Sequence, residues 1–90
     1  METLLLSEFN KNFVLRQQGK KIRDIASSKW YNIIFDFTWV KIMTSSVADE
    51  IFGKGFNEFG NVFKIQWLGK NSQIKHIISG VILNRQRIPY

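Results

Sequence analysis

The chain has 90 residues, 44% of them apolar, and a formal net charge of +6 from thirteen Lys and Arg against seven Asp and Glu. This length allows one domain, residues 1–90, with enough apolar content for a packed core. The sequence contains no cysteine, which excludes zinc-ribbon, thiol-redox and cysteine-nucleophile chemistry and favours a reducing compartment. No apolar run approaches the ~20 residues of a membrane span, so we expect a cytoplasmic protein that does not bind membranes.

The first half of the chain predicts two strands and one helix. A short strand is predicted at 3–6, and a helix at 13–26 with its apolar residues on one face and a basic cluster on the other. The stretch 32–37 is the strongest strand signal. It is nearly continuously apolar, which is typical of a strand covered on both faces of its sheet.

The second half repeats this alternation. Apolar residues recur at helical spacing over 47–59, and Gly60 is placed to end that helix in a left-handed conformation. A strand follows at 62–68, and Asn71 or Ser72 can cap a last helix. The apolar face of that helix is formed by Ile74, Ile77, Ile78, Val81 and Ile82.

Strands that alternate with helices predict right-handed crossovers and a parallel sheet. We therefore expect an α/β fold with a minimal three- to four-stranded, mostly parallel or mixed sheet and about three helices. A sheet of this size has exposed edges, which are compatible with a homodimer.

No set of side chains in the sequence forms a self-sufficient catalytic or metal site. His76 is the single histidine and falls on the polar side of the last helix, without further ligands at suitable spacing. The adjacent acids Asp49 and Glu50 point about 100° apart on a helix and cannot flank one substrate bond. Asp49 instead complements the positive helix N-terminus, and Glu50 pairs with Lys54. The sequence predicts a binding protein without cofactors rather than an enzyme.

The glycines around Lys54 lack the spacing of a phosphate-binding loop. Gly53 and Gly55 lie inside the helical pattern, where each costs about 1 kcal/mol relative to alanine. Close packing of the helix on the sheet is the reason we expect for them.

Thr44, Ser45 and Ser46 open the second helix and support two interpretations. Their hydroxyls can satisfy unpaired backbone N–H groups, and Ser46 with Asp49 resembles a capping box. The same place suits a phosphate, because the N–H groups and the helix dipole favour negative charge. A serine phosphorylated there would add almost two negative charges to a surface point. The hydroxyl cap is the simpler interpretation.

Asp36 interrupts an apolar strand, and a buried carboxylate is costly unless it is paired. Arg16 is the residue that we expect to pair with it.

Several segments together resemble a known family. They are Ile34-Phe35-Asp36-Phe37, Val40, the run from Met43 to Glu50, Phe52-Gly53 and, more loosely, Leu15-Arg16 with Gly19. On these residues, 33–87 resembles the STAS-like domains, relatives of the anti-sigma-factor antagonists. The resemblance implies a compact α/β switch module that binds a protein partner, which in the antagonist family is a small ATPase-fold serine kinase acting as an anti-sigma factor.

The resemblance also implies a phosphoacceptor, Ser45, with Ser46 behind it as cap. The sequence departs from the family motif Asp-Ser-Ser-Gly, since Thr44 replaces the Asp and Val47 the Gly. These departures bear on phosphoregulation more than on the fold.

Two functional hypotheses follow. The first is a regulatory protein-interaction module that binds through the start and exposed face of the second helix: Thr44, Ser46, Asp49, Glu50, Lys54 and Asn57. The second is a nucleic-acid-binding protein, or a regulator or inhibitor from a mobile element, with a basic surface of Lys20, Lys21, Arg23, Arg85 and Arg87 beside Arg16. The three tryptophans are assigned to the core or its rim, so the second hypothesis lacks an aromatic platform.

Overall fold

The computed structural model of the chain describes residues 2–66 and 72–87. Its elements are β1 (Glu2–Leu5), a 3-10 turn (Leu6–Glu8), β2 (Asn12–Phe13), α1 (Arg16–Ser28), β3 (Ile33–Asp36), β4 (Ile42–Met43), α2 (Ser45–Ala48), a π-helical turn (Asp49–Gly53), α3 (Lys54–Phe59), β5 (Lys64–Gln66) and α4 (Ser72–Arg87). The continuous stretch from α2 through the π-helical turn to α3 is called the middle helix. Within the described ranges, no helix combines the length and apolar character needed to cross a bilayer.

The strands form one three-stranded sheet and one short ladder, all of them parallel. The sheet has the order β1-β3-β5, and β2 pairs separately with β4. Phe35 in the centre lies beside Leu4 on one side and Ile65 on the other. Helices alternating with parallel strands confirm the predicted α/β class and its small, mostly parallel sheet. Positions 67 and 68 of the predicted last strand lie outside the described residues.

The two faces of the sheet differ in burial. Phe35 is fully buried, and its ring centroid lies 4.9 Å from that of Phe52 in the middle helix. Ile34 points to the opposite face, because side chains alternate along a strand, and it is only half-buried. Its lateral neighbours Thr3 and Lys64 are exposed. Asp36, on the same face as Ile34, is buried. In the described part of the chain, the second face of the central strand is therefore covered only in part, less than its apolar sequence predicts.

Aromatic side chains fill the space between the sheet and the middle helix. The ring of Tyr31 stacks on that of Phe59 at a centroid distance of 4.9 Å. Its buried hydroxyl donates to the carbonyl of Ile51 at 2.6 Å. Burial raises the pKa of this phenol well above its ordinary value, so the hydroxyl stays a donor. Tyr31 thus joins the segment before β3 to the π-helical turn.

Helix α1 begins at Arg16, three residues later than the predicted helix over 13–26. Gln18 causes the delay, because its side-chain carbonyl accepts the backbone N–H groups of Val14 and Leu15 at 2.8 and 2.9 Å. Its amide also donates to the carbonyl of Asn12 at 3.2 Å. These three bonds hold 12–15 in a non-helical conformation before the first helical turn.

Two predicted helix features are observed, the first of them in part. Gly60 ends the middle helix as predicted, but with φ of 77° and ψ of −157°, an extended positive-φ conformation that favours glycine and differs from the left-handed helical one. Helix α4 turns its predicted apolar face to the core: Ile74 and Ile78 are buried, and Ile77, Val81 and Ile82 are partly buried. His76 is exposed on this helix, as predicted. Asn71, one of its two predicted caps, lies outside the described residues.

Candidate functional site

The segments that start α1 and α2 lie at the carboxyl end of the sheet. β1 leads through β2 into α1, and β3 leads through β4 into α2. The ladder joins the two connections, since the N–H of Lys41 donates to the Lys11 carbonyl at 2.8 Å and that of Thr44 to the Phe13 carbonyl at 2.9 Å. Ligands of open parallel sheets bind at this end, so the two helix starts are the first place to look for a site.

Thr44 caps the middle helix. Its backbone is extended, with φ of −75° and ψ of 160°, and its hydroxyl accepts the N–H of Val47 at 3.4 Å. The predicted capping box of Ser46 with Asp49 is wrong, because the extended backbone of β4 continues to Thr44 and the helix begins at Ser45. Both serines are exposed residues of the first turn.

The exposed serines border an open cleft with a volume of about 280 Å³. Residues from α1, the middle helix and α4 line it: Arg16, Ser45, Ser46, Asp49, Val81 and Asn84. We call it the serine cleft. Arg16 contributes a guanidinium on a side chain that is 48% exposed. The structure thus brings the predicted phosphoacceptor Ser45 to the same cleft as one cation and one carboxylate.

Asp49 connects α4 to the middle helix. Its carboxylate accepts two bonds from the Arg85 guanidinium, at 3.1 Å to Oδ1 and 2.9 Å to Oδ2. Arg16 approaches the same carboxylate at 3.8 Å. A Cβ on Gly53 would overlap Asp49 and lie 3.2 Å from Arg85 Nε, so this glycine makes room for the pair.

Glu50 is buried, with only 5% of its side chain exposed, among three cations. Lys54 Nζ lies 3.0 Å from Oε2, Arg23 Nε 3.1 Å from Oε2, and Arg16 Nη1 3.5 Å from Oε1. The Arg23 contact is an ion pair without the alignment of a hydrogen bond. Desolvation raises the pKa of the Glu50 carboxyl, but Lys54, Arg23 and Arg16 together lower it below its ordinary value. Glu50 is therefore an ionised, buried carboxylate at neutral pH.

The predicted pair between Arg16 and Asp36 is wrong. Asp36 Oδ1 instead accepts the backbone N–H of Thr38 at 2.9 Å and its hydroxyl at 2.6 Å. The guanidinium of Arg16 is directed to Asp49 and Glu50. A neighbour two positions along the chain satisfies the buried carboxylate, so no distant cation is needed.

The predicted partner-binding face needs a correction as well. Glu50 is not on it, because its carboxylate is buried among cations. Asp49 is partly buried against Arg85. Lys54 is partly buried through its predicted pairing with Glu50. Thr44 is partly buried, and Ser46 and Asn57 are exposed.

The alternative basic surface is smaller than predicted. Arg23 and Arg85 are engaged with the buried and half-buried carboxylates of the middle helix. Lys20 and Lys21 are exposed. Arg87 ends α4, and its side chain lies outside the described part of the chain.

The assignment of the tryptophans to the core or its rim is wrong for Trp39, which is 74% exposed. Trp30 is 76% exposed, but its ring contacts Phe59 edge-to-face at a centroid distance of 6.2 Å, so it lies at the rim of the core. Both residues have a positive φ, 56° for Trp30 and 69° for Trp39. Trp67 lies outside the described residues. Sequence reasoning also missed Val14 and Ile42, which are about half exposed near the start of the middle helix. The signal for Trp39 was the Asp-x-Thr spacing before it, which is typical of a side-chain-closed turn.

Within residues 2–66 and 72–87, no three His, Asp or Glu side chains gather closely enough to hold a metal ion. No protein-family model, curated protein or solved structure matches this chain. The resemblance to STAS-like domains therefore rests on the residue pattern alone and stays a prediction. What the chain does has to be inferred from the geometry at the carboxyl end of its sheet.

Proposed function

We propose that the chain is a small regulatory protein-interaction module that binds a protein partner at the serine cleft. The proposal rests on one observation: at the start of the middle helix, the capping residue is different from the two exposed serines. Thr44 provides the cap, while Ser45 and Ser46 stay exposed at a cleft lined by three helices. Exposed hydroxyls without a capping duty are available to a partner.

The resemblance to STAS-like domains extends this proposal to a partner with an ATPase fold and to a phosphate switch at Ser45. A phosphate there would add almost two negative charges beside Asp49, which repels it, and Arg16, which attracts it. Arg16 already faces two carboxylates, so the phosphate would compete with Asp49 and Glu50 for its guanidinium. Modification would then change the charge of the cleft without touching the core.

The first testable prediction compares two neighbouring positions. Ser45→Asp is expected to weaken partner binding about tenfold or more, which corresponds to about 1.4 kcal/mol. Its stability should change by less than about 0.5 kcal/mol, because Ser45 is exposed. Thr44→Ala should lower the free energy of unfolding by about 1 kcal/mol, because it removes the cap.

The experiment purifies the tagged, nuclease-treated protein from its own cells and identifies by mass spectrometry the protein that remains bound. Calorimetric titration of the purified pair and urea unfolding then separate binding from stability, with Ser45→Ala as the matched neutral variant. If Ser45→Asp loses binding and stability in proportion, the serine is structural and the proposal fails.

Nucleic-acid binding through the basic surface is the alternative and receives less support, since Arg23 and Arg85 are engaged in ion pairs. This alternative predicts that the logarithm of the affinity for nucleic acid falls linearly with the logarithm of the salt concentration. Retention of nucleic acid, and of no protein, in the same purification would favour it. A cytoplasmic location, a homodimer through the sheet edges and the absence of catalysis stay predictions.

A further inference from the structure

A buried tyrosine contacts the π-helical turn of the middle helix from outside that helix. Tyr31 is fully buried, and its hydroxyl donates to the Ile51 carbonyl at 2.6 Å. The turn interrupts ordinary helix, because the N–H of Lys54 donates to the carbonyl of Asp49, five positions back, while Ala48 and Lys54 themselves have α-helical dihedral angles. Single π-helical turns are uncommon overall and occur disproportionately at functional sites. The hydroxyl of Tyr31 therefore acts on the irregular part of the middle helix.

A Schellman motif at the end of α1 fixes the position of Tyr31. The N–H of Trp30 donates to the Ser27 carbonyl at 3.0 Å, and that of Tyr31 donates to the Ala26 carbonyl at 2.8 Å. This pair of bonds ends many helices and places a positive φ at the first of the two donors, which is usually glycine. Here φ is 56° at both donors, a region that is unfavourable for bulky residues. The end of α1 thus fixes the backbone of Tyr31, and the side chain of Tyr31 reaches the middle helix.

Two glycines of the middle helix make room for these contacts. A Cβ on Gly55 would lie 2.6 Å from Cζ of Tyr31, so this glycine leaves space for the ring. A Cβ on Gly53 would overlap Asp49, so this glycine leaves space for the carboxylate beside Arg85. Glycine is unfavourable inside a helix. Two glycines within three residues therefore mark contacts that the middle helix keeps at the expense of its own stability.

The π-helical turn carries two carboxylates that set the charge of the serine cleft. Asp49 lines the cleft and accepts two bonds from Arg85 of α4. Glu50 follows it and lies 3.5 Å from Arg16, which lines the same cleft from α1. Because π-helical bonding takes more residues per turn than α-helical bonding, a change of register would rotate α2 against α3 about the helix axis. The register of the turn therefore decides where both carboxylates point.

We propose that Tyr31 is a positioning residue for the serine cleft: its hydroxyl holds the turn in the π-helical register, which keeps Asp49 and Glu50 on their arginine partners. Without this donor, the Ile51 carbonyl loses its bond from outside the helix, and the commoner α-helical register is favoured. Arg16 is then released from the carboxylates that direct it. The inference rests on the proposed function, because it explains how a buried residue keeps the same cleft in its binding conformation.

The test replaces the Tyr31 hydroxyl in the full chain and leaves the ring in place. Tyr31→Phe removes the donor, and para-aminophenylalanine at position 31 restores a donor through its N–H groups. para-Fluorophenylalanine fills the space of the hydroxyl without donating, and it takes the place of Tyr31→Phe if that variant does not fold. Thr38→Val is the matched control, because it removes another 2.6 Å hydroxyl bond, to Asp36, in the loop after β3.

NMR couplings across hydrogen bonds identify the acceptor of the Lys54 N–H directly. In the native chain, the coupling should connect Lys54 with the carbonyl of Asp49, as in the structure. In Tyr31→Phe we expect it to move to the carbonyl of Glu50, the α-helical acceptor, and in the para-amino variant to return to Asp49. Thr38→Val should leave it at Asp49. If Lys54 keeps Asp49 as its acceptor in Tyr31→Phe, the inference is overturned.

The titration of Glu50 gives a second readout that a change in overall stability does not move. Burial raises the pKa of this carboxyl, but Lys54, Arg23 and Arg16 together lower it to below its ordinary value. If the hydroxyl positions Glu50, the pKa followed by carbon-detected NMR should rise in Tyr31→Phe and stay unchanged in the control variant. An unchanged pKa in both variants would show that the hydroxyl acts on stability alone and would overturn the inference.

Titration with the captured partner protein connects the register to binding. Tyr31→Phe should weaken binding about tenfold, and the para-amino variant should restore it to within about threefold of the native value. Thr38→Val should change binding less than about threefold, even where it lowers the melting temperature as much. If Tyr31→Phe moves the Lys54 bond but not the affinity, the positioning role is wrong while the proposed function stands. If no protein is captured, the proposed function fails, and the Lys54 measurement still decides the register.

Discussion

Gly55→Ala is expected to lower the free energy of unfolding by about 3 kcal/mol, at the upper end of what overpacking costs. A Cβ at this buried position would lie 2.6 Å from Cζ and 2.8 Å from the hydroxyl oxygen of Tyr31. The ring cannot retreat, because it stacks on Phe59 and donates its hydroxyl to the Ile51 carbonyl at 2.6 Å. Either the Tyr31 ring or the middle helix must move, and either movement disrupts the contacts of Tyr31 with Phe59 and Ile51.

Urea unfolding followed by circular dichroism measures this cost. Gly80→Ala in α4 is the matched control, since no atom lies within 4 Å of a Cβ added there. It should raise the free energy of unfolding by about 0.5–1 kcal/mol, because alanine favours helix more than glycine does. If Gly55→Ala and Gly80→Ala lower the free energy of unfolding equally, overlap with Tyr31 is not the cause of the destabilisation at Gly55.

Periodicity predicts the three strands of the main sheet and the helices that alternate with them, because burial selects apolar residues at the spacing of each element. It does not predict the two-residue strands β2 and β4. The inward face of α4 and the end of the middle helix at Gly60 follow this rule. The start of α1 does not, because Gln18 holds 12–15 through side-chain bonds that no periodic pattern records. Local side-chain bonds to the backbone compete with helix and move its boundary.

The sequence singled out five of the six residues that line the serine cleft, but not Asn84, and it did not predict the ion pairs of Arg16 and Asp49. Glu50 was assigned to an exposed face on the assumption of a regular helix. The middle helix contains a π-helical turn, Asp49–Gly53, which takes more residues per turn and shifts which of them face inward. Arg16 was assigned to Asp36 because a buried carboxylate needs a partner, yet Thr38 supplies it locally. Pairing depends on three-dimensional proximity, which spacing alone does not provide.

Glu50→Gln is expected to lower the free energy of unfolding by about 2 kcal/mol at pH 7. Removing one member of a fully buried ion pair costs about 3–5 kcal/mol. The cost should be smaller here, because the side chains of Arg16 and Lys54 are 48% and 42% exposed and can regain water. The side chain of Arg23 is only 23% exposed, so its charge regains little water when the carboxylate is removed. Arg23 therefore accounts for most of the expected loss of unfolding free energy. Glutamine preserves the size of the side chain, so packing changes little.

The pH dependence of this difference tests its electrostatic origin. The cations lower the pKa of Glu50 in the folded state by more than desolvation raises it, so the unfolded chain binds its proton first as pH falls. The stabilisation is complete above the unfolded pKa, about 4.3, and is lost as pH falls through the lower folded value. The gap between the native protein and Glu50→Gln should therefore be constant near neutrality and shrink below about pH 4.3.

Glu2→Gln is the control for an exposed carboxylate, to be compared with Glu50→Gln at a buried one. The hydrogen bond and charge of Lys29, 2.7 Å from the Glu2 carboxylate, also lower the pKa of Glu2. The Glu2 side chain is 69% exposed, however, and water screens the pair. We expect only a small change in unfolding free energy for Glu2→Gln at any pH. If the Glu50 gap stays the same from pH 7 to pH 3, packing rather than charge connects Glu50 to α1, and Arg16 is not held at the serine cleft by this carboxylate.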